Sequence, residues 1–386
     1  MRILIARGGI GIAALLMIFA LAVVHYRHGA AFIIDATGMH GVLRRAAAWE
    51  SQRVARVPGD VRVPWRDGTL RAYAYRPEHP AGRTILLVPG VHASGIDEPR
   101  LVTFANDLAA QGHPVLSVEL PDLKAYSITP RTTDMIEDAA KWTLSQPEYS
   151  GADRQIGLMG ISFGGGLAIA AAGRSSIRDG LAFVLSLGGH GDLPRTLRYL
   201  CTGIQPDGTY RAPHDYGLAI VLLGAAAHVV PAKEVEPLRA AILSFLEASR
   251  LDMVDKTAAA AEFARAKDLA AGLREPAKTY MGYVNARDVA KLGPVLLPFL
   301  PELGGDPALS PDRSAPPACP VFLIHGSDDN VVPAIESTLL AATFRGEGVK
   351  VQVLLSPLIT HAEVDRSSTA AAVWRLVDFW NAVLGE

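Results

Sequence analysis

The segment Gly160-Ile161-Ser162-Phe163-Gly164-Gly165 places a serine among closely spaced glycines. The apolar run at 154–159 predicts a buried strand before it, and the small residues at 166–172 predict a helix after it. Such a turn would hold the serine hydroxyl clear of the sheet, and the glycines would permit the strained backbone and close helix packing. The first N–H groups of the helix would face any anion formed there. The motif therefore predicts a nucleophilic serine, whereas these six residues alone are equally compatible with a simple turn.

Strand and helix patterns alternate on both sides of this turn. Short apolar runs predict strands at 84–88, 115–120, 155–160, 181–187, 320–324 and 349–355. Helix patterns occur at 101–111, 132–144, 334–344 and 370–384, with Thr132 or Thr133 as the expected cap of the second. An Asp67-Gly68 turn predicts an antiparallel hairpin at one edge. The alternation predicts an α/β fold, in which a mostly parallel sheet is covered by helices on both faces.

A long insertion interrupts this alternation. About 130 residues separate the strand ending near 187 from the strand beginning at 320, whereas a usual crossover needs only a few tens. Helix patterns recur within the insertion, which we interpret as a helical cap over the sheet. The predicted domains are an anchor or signal at 1–28, a linker with a helical lead-in at 29–60, the core at 61–194 and 313–386, and the cap at 195–312.

Composition excludes some classes of protein. The 386 residues are 49% hydrophobic and 20% charged, which favours a large core and excludes global disorder. The net charge is −2 without a Lys/Arg block, so nucleic acid is not an expected partner. We expect Cys201 and Cys319 to be separate buried thiols, with a disulfide as the alternative.

The N-terminal residues carry the strongest localisation signal. Positions 8–24 contain neither charge nor proline, and Arg2 and Arg7 precede them. This length is at the short end of a membrane span, and the basic residues follow the positive-inside rule. We expect a membrane anchor with the rest of the chain outside the cytoplasm. The alternatives are a secretory signal cleaved near 20–22, which would give a secreted protein, and a buried helix.

A nucleophilic serine needs a base and a group that orients the base. Asp328 and Asp329 follow the strand at 320–324, and His361 follows the next strand. The carboxyl ends of these strands meet at one edge of an open α/β sheet, so the side chains should converge there. His325, at a strand end, is expected to be structural. The resulting chain order is Ser162, Asp329, His361.

With this order the chain resembles the serine hydrolases of the α/β-hydrolase superfamily, over 60–195 and 315–386. In that family a G-x-x-D-x-x-V-P pattern carries the acid, which favours Asp329 over Asp328 here. The resemblance implies Ser162 as nucleophile, His361 as base and Asp329 as the acid that orients it. No cofactor is expected. No metal is expected either, because the paired aspartates lack a third ligand in the sequence.

The loop at 87–92 resembles the family's loop after the third strand, although Pro89 stands where many relatives have histidine. The resemblance implies that the Val91 and Phe163 amides stabilise an oxyanion.

Three further residues have two interpretations each. Asp192 is an alternative acid or a helix cap. His190 lines the pocket or belongs to a turn. His92 contacts a leaving group or is a solvated loop histidine.

The leading functional hypothesis is a carboxylesterase that acts on a small, apolar ester or acyl substrate through an acyl-enzyme. A peptidase or amidase and an acyltransferase would use the same triad. A non-catalytic binding module on a hydrolase scaffold is the alternative from another class.

Overall fold

The computed structural model describes residues 26–34, 51–57, 60–151, 153–252, 254–359 and 370–386. His361 and the apolar segment at 8–24 lie outside these residues. The predictions made for both therefore stay predictions.

Nine strands of the described chain form one sheet. They are β1 (Val54–Arg56), β2 (Val61–Trp65), β3 (Gly68–Pro77), β4 (Ile85–Val88), β5 (Val115–Val118), β6 (Ile156–Ile161), β7 (Leu181–Leu187), β8 (Val321–Gly326) and β9 (Val351–Ser356). The order is β1-β3-β5-β4-β6-β7-β8-β9, and β2 pairs with β3. Pairings that involve β3 are antiparallel. Those from β5 through β9 are all parallel.

The helices of the described chain connect or cover these strands. They are α1 (26–34), α2 (Pro99–Ala110), α3 (Pro121–Lys124), α4 (Pro130–Ser145), α5 (Pro147–Ser150), α6 (Phe163–Ala172), α7 (Leu193–Thr202), α8 (Asp215–Val229), α9 (Ala232–Leu251), α10 (Lys256–Gly272), α11 (Ala277–Ala286), α12 (Val289–Leu296), α13 (Leu300–Gly304), α14 (Ile335–Gly346) and α15 (Ala370–Leu384).

Strand β4 shows why the sheet is covered on both faces. Its four residues are completely buried. Ile85 and Leu87 belong to an apolar cluster with α2 and α15, whereas Leu86 and Val88 belong to a second cluster with α4 and α6. Alternate side chains of a strand point to opposite faces, so helices exclude water from each face. The predicted α/β fold, a mostly parallel sheet flanked by helices, is confirmed.

Two local predictions were wrong by a few residues. The predicted antiparallel hairpin is present as β2 and β3, but Trp65 pairs with Gly68, so its two-residue loop is Arg66-Asp67 and not Asp67-Gly68. Helix α4 is capped by Thr129, because Pro130 fits the first helical position, which needs no N–H donor. The Thr132 hydroxyl, predicted as a cap, instead accepts the Thr129 N–H at 3.4 Å.

The region predicted as a cap is helical from α7 to α13. Helix α7 begins at Leu193, two positions before the predicted boundary of the cap. The longest helix of the described cap, α9, packs against α8 and α10. Helix α11 was not predicted. A part of the cap reaches the core next to Asp329, as described below.

Helix α1 packs on the core, although its residues were assigned to the anchor or signal segment and to the linker with a helical lead-in. Phe32 is buried, and its ring centroid lies 4.4 Å from that of Trp380 on α15. A Cβ at Gly29 would be 2.3 Å from the Val377 carbonyl oxygen, so glycine permits this close approach of α1 and α15. Across the described ranges, we find no helix that combines the length and the hydropathy of a membrane span.

Candidate active site

Ser162 lies on the turn between β6 and α6 with φ +53° and ψ −133°. A positive φ combined with this ψ is strained for a residue with a Cβ and is adopted mainly by glycine. The turn is held on both sides. The Ser162 N–H donates to the Leu187 carbonyl at 2.7 Å, and the Gly165 N–H donates to the Ser162 carbonyl at 2.8 Å. Neighbouring structure thus fixes the serine in a costly backbone conformation.

Two glycines allow this turn because no Cβ would fit at either position. A Cβ at Gly160 would lie 2.3 Å from the Gly164 carbonyl oxygen. A Cβ at Gly164 would lie 2.0 Å from the Pro89 carbonyl oxygen. The first glycine lets α6 approach β6, and the second lets the loop after β4 approach α6.

The two predicted oxyanion donors flank the serine. A Cβ at Gly90 would be 3.2 Å from the Ser162 Cβ, so the loop that carries Val91 lies against Ser162. Phe163 is the first residue of α6, where an amide has no intrahelical acceptor. Neither the Val91 nor the Phe163 amide donates to an acceptor within the described part of the chain. Both amides are therefore available as donors, and their role stays a prediction.

Asp329 lies at the same edge of the sheet. Its side chain is buried at 3% exposure, and Oδ1 accepts the N–H groups of Val331 at 2.8 Å and Val332 at 3.0 Å. Oδ2 faces Gly188, where a Cβ would lie 3.5 Å away. Gly188 follows Leu187, whose carbonyl accepts the Ser162 N–H. The carboxylate and the serine therefore border the same end of β7.

The neighbouring aspartate has a different environment. The Asp328 side chain is 77% exposed and forms an ion pair with Arg211 at 3.2 Å. A solvated carboxylate orients a histidine less firmly than one held by two backbone amides. The geometry thus favours Asp329 as the acid.

His361 lies just beyond Ile359, the last described residue before 370. β9 runs parallel to β8, with Ser356 opposite Gly326, so the chain leaves β9 at the edge that carries Asp329. His325 is buried beside Asp329, with Nδ1 2.7 Å from the Ser337 hydroxyl and Nε2 2.9 Å from the Val332 carbonyl oxygen and 3.5 Å from Asp329 Oδ2. These contacts fit a structural role for His325.

Asp192 and His190 follow β7 and have different environments. The Asp192 carboxylate accepts the Arg195 N–H at 2.8 Å at the start of α7 and pairs with Arg313 at 2.7 Å, which supports the helix-cap interpretation. The His190 ring is completely buried, with Nε2 2.8 Å from the Leu309 carbonyl and its centroid 5.5 Å from that of Phe163. Burial lowers the pKa of His190, so this imidazole is neutral at pH 7.

The loop after β4 and the cap meet near the serine. His92 Nδ1 accepts the Ser94 N–H at 3.1 Å, and burial lowers the pKa of His92. Charges on Glu247 and Arg250 of α9 also act on His92, so this cap helix lies close to the loop.

Two tyrosines, Tyr216 and Tyr126, were not predicted from the sequence as residues of the candidate site. Burial raises the pKa of Tyr216 well above its ordinary value, and the charge of Asp329 adds to the effect. Burial likewise raises the pKa of Tyr126, with Glu247 contributing. Local sequence around either tyrosine carries no functional signal, because only tertiary contacts bring them to the site.

The cysteines form no disulfide. Cys201 and Cys319 are free and buried, and burial raises the pKa of each thiol to about 12. Both thiols are therefore protonated and unreactive at pH 7. In the described ranges, no group of three His, Cys, Asp or Glu residues is arranged to hold a metal ion.

The strand order and the strained serine between β6 and α6 define an α/β-hydrolase fold. No family model and no curated protein matches the sequence. Similar solved structures include an esterase from the archaeon Pyrobaculum calidifontis, which is 16% identical, covers 94% of each chain and has a TM-score of 0.45. Another is carboxyl esterase 2 of the fungus Tuber melanosporum, which is 15% identical and covers 86% of this chain and 87% of its own, with a TM-score of 0.48.

A third is the acylaminoacyl peptidase of Pyrococcus horikoshii, 14% identical with a TM-score of 0.47. The match covers 85% of the present chain but only 42% of that peptidase. Identity and TM-score are low throughout, and the fold assignment rests on the strand order and the serine turn.

Proposed function

We propose that the protein is a serine hydrolase that cleaves a carboxylic ester through an acyl-enzyme. The observation that carries the proposal is the strained Ser162, which borders the same sheet edge as the amide-bound Asp329 carboxylate. Strained backbone persists where the surroundings impose it, and such positions cluster at active sites.

The reaction follows from these placements. Ser162 Oγ attacks the acyl carbon while His361 takes its proton, and Asp329 orients and stabilises the imidazolium. The Val91 and Phe163 amides donate to the oxyanion of the tetrahedral intermediate. His361 then returns the proton to the leaving alcohol, and water releases the acyl group by the reverse sequence of proton transfers.

The surroundings of Ser162 favour a substrate with an apolar part. Val91, Tyr126 and Tyr216 are partly buried and pack against the apolar core cluster that includes Phe163. The charged groups close to His92 are paired among themselves, Arg100 with Glu98 at 2.6 Å and Arg250 with Glu247 at 2.5 Å. Such internally paired charges leave little net charge for a charged substrate to recognise.

A fluorophosphonate probe tests the proposal. We expect labelling at Ser162, no labelling of Ser162→Ala, and a fall in esterase kcat of roughly 10⁴-fold or more in that variant. The exposed Ser145 provides the matched control, since Ser145→Ala should keep full labelling. Absence of labelling in folded wild-type protein would reject the mechanism and favour a binding module.

Paired substrates test the preference for esters. Nitrophenyl esters and nitroanilides of the same acyl groups would be compared at increasing chain length. Faster turnover of the esters supports the proposal. Faster turnover of the anilides would assign a peptidase or amidase instead, and acyl transfer to an added alcohol in preference to water would assign an acyltransferase.

We also propose that positions 8–24 anchor the enzyme in a membrane, with the catalytic domain outside the cytoplasm. The support is the charge-free apolar run after Arg2 and Arg7. Cell fractionation with N-terminal sequencing of the mature protein tests this. An intact segment in the membrane fraction supports the anchor, and a soluble form that begins after 22 would show a cleaved signal.

A further inference from the structure

The cap meets the acid loop at the peptide group between Asn330 and Val331. The Asn330 carbonyl accepts the His214 N–H at 2.8 Å and the Tyr199 hydroxyl at 3.2 Å. The N–H of the same peptide, that of Val331, donates to Asp329 Oδ1 at 2.8 Å. One peptide group thus accepts from two cap donors through its C=O and donates to the Asp329 carboxylate through its N–H.

The geometry of a peptide makes this connection directional. A peptide group is planar and trans, so its C=O and N–H point in opposite directions. Donors that hold the oxygen on the cap side therefore hold the N–H towards Asp329. Hydrogen bonds to the carbonyl also polarise the group and strengthen the bond that its N–H donates.

Both donors come from the beginning of the cap and are held there. The Tyr199 side chain on α7 is completely buried, and burial raises its pKa to about 12. His214 is the N-cap residue of α8, with its side chain accepting the Tyr216 N–H. The hydroxyl is therefore a neutral donor at pH 7, and the amide is fixed by the start of a helix.

We infer that the cap positions the catalytic acid through this peptide, with Tyr199 and the His214 amide as positioning groups. The inference rests on the proposed role of Asp329 as the acid of a serine hydrolase. The cap then has a second role besides covering the substrate, because catalysis depends on its contact with the acid loop. Separation of cap and loop would leave the Asn330 carbonyl without these donors and the Val331 N–H free to turn away.

The first test removes only the hydroxyl. We expect Tyr199→Phe to lower kcat roughly three- to tenfold and to leave KM unchanged. The reason is that the lost hydrogen bond acts on the reacting groups and not on substrate binding. The control is Tyr280→Phe, a half-buried cap tyrosine on α11, which should match wild type. Thermal unfolding of each variant checks that it is folded.

A second pair of variants tests the His214 N–H alone. This test stays informative even if Tyr199→Phe does not fold. His214 has φ −59°, which is within the range of proline. His214→Pro removes the N–H, whereas His214→Ala keeps it and removes the same imidazole. We expect kcat of the proline variant to be roughly tenfold below that of the alanine variant. Equal kcat values would count against the amide as a positioning group.

A double-mutant cycle distinguishes positioning of the acid from a general structural effect. The rate of fluorophosphonate labelling would be measured for Tyr199→Phe in the wild-type and Asp329→Asn backgrounds. If Tyr199 acts through Asp329, its substitution should slow labelling only in the wild-type background. An equal decrease in both backgrounds, or a change in KM alone, would overturn the inference.

These experiments separate the two proposals. Wild-type protein that is not labelled at Ser162 rejects the proposed function itself. Normal labelling of wild type, together with wild-type kinetics in Tyr199→Phe and equal kcat values of the two His214 variants, rejects only the role of the cap.

Discussion

Ser162 has a backbone conformation that costs about 1–3 kcal/mol for residues of its kind. Two backbone hydrogen bonds and the close approach of the loop after β4 impose it. A fixed turn holds the Cα–Cβ bond of Ser162 in one direction without a search among backbone conformers, which favours the proposed attack by Oγ.

The two adjacent aspartates give a prediction at the residue scale. We expect Asp329→Asn to lower kcat by roughly 10³- to 10⁴-fold, because an amide can hold the histidine in the wrong tautomer. Asp328→Asn changes the same atoms on an exposed side chain and should alter kcat by less than about threefold. Steady-state kinetics with one ester substrate measure both, and a larger loss for Asp328→Asn would reassign the acid.

At the scale of elements, a buried glutamate joins helix α14 to both ends of the cap. Glu336 is completely buried and accepts the Gly191 and Asp192 amides at 3.0 and 3.1 Å, together with the Arg195 guanidinium at 2.6 Å. Arg195 also pairs with Asp312 at 2.8 Å, on the returning segment of the cap. The Nε and Nη2 atoms of Arg195 thus each donate to a carboxylate, which compensates for the partial burial of the guanidinium.

Removal of that carboxylate should be strongly destabilising. We expect Glu336→Ala to lower the free energy of unfolding by about 3–5 kcal/mol, because it leaves the two buried amides without an acceptor and the Arg195 guanidinium with Asp312 alone as its carboxylate partner. Glu347→Ala, at the exposed end of the same helix, should change it by less than about 0.5 kcal/mol. Urea unfolding monitored by circular dichroism measures both, and similar midpoints for the two variants would contradict the prediction.

At the scale of the whole molecule, two buried histidines make stability depend on pH. His113 and His190 are almost completely buried, and burial lowers the pKa of both from the ordinary value of 6.5. The unfolded chain therefore binds more protons than the folded chain below pH 6.5. Stability should be greatest above this pH and should fall as the pH decreases towards the pKa values of the folded state.

His190→Gln tests this contribution, since glutamine can still donate to the Leu309 carbonyl but does not titrate. We expect a smaller decrease in unfolding free energy between about pH 7.5 and about pH 5 than in wild type. The exposed His79→Gln serves as the control and should retain the wild-type difference. A wild-type pH dependence in His190→Gln would exclude burial of this imidazole as a cause.

Patterns within a few residues were sufficient for most of the core. Strands β4 and β6 were predicted because burial on both faces requires unbroken apolar segments. The serine turn and the closing helix were predicted from glycine placement and from hydrophobic periodicity. The N-terminal capping residue of α4 was wrongly predicted, because the proline at the first helical position determines where the helix begins and the threonines that follow do not. Helix α11 was missed within the cap.

The sequence by itself determined the α/β class and the position of the serine, because hydrophobic periodicity and glycine placement act locally along the chain. Only the tertiary structure joined the cap to the acid loop. Tyr199 and Asn330 are separated by 131 positions, as are Arg195 and Glu336 by 141. Hydrogen bonds between such distant residues depend on how the elements pack, and periodicity within either segment carries no information about the other.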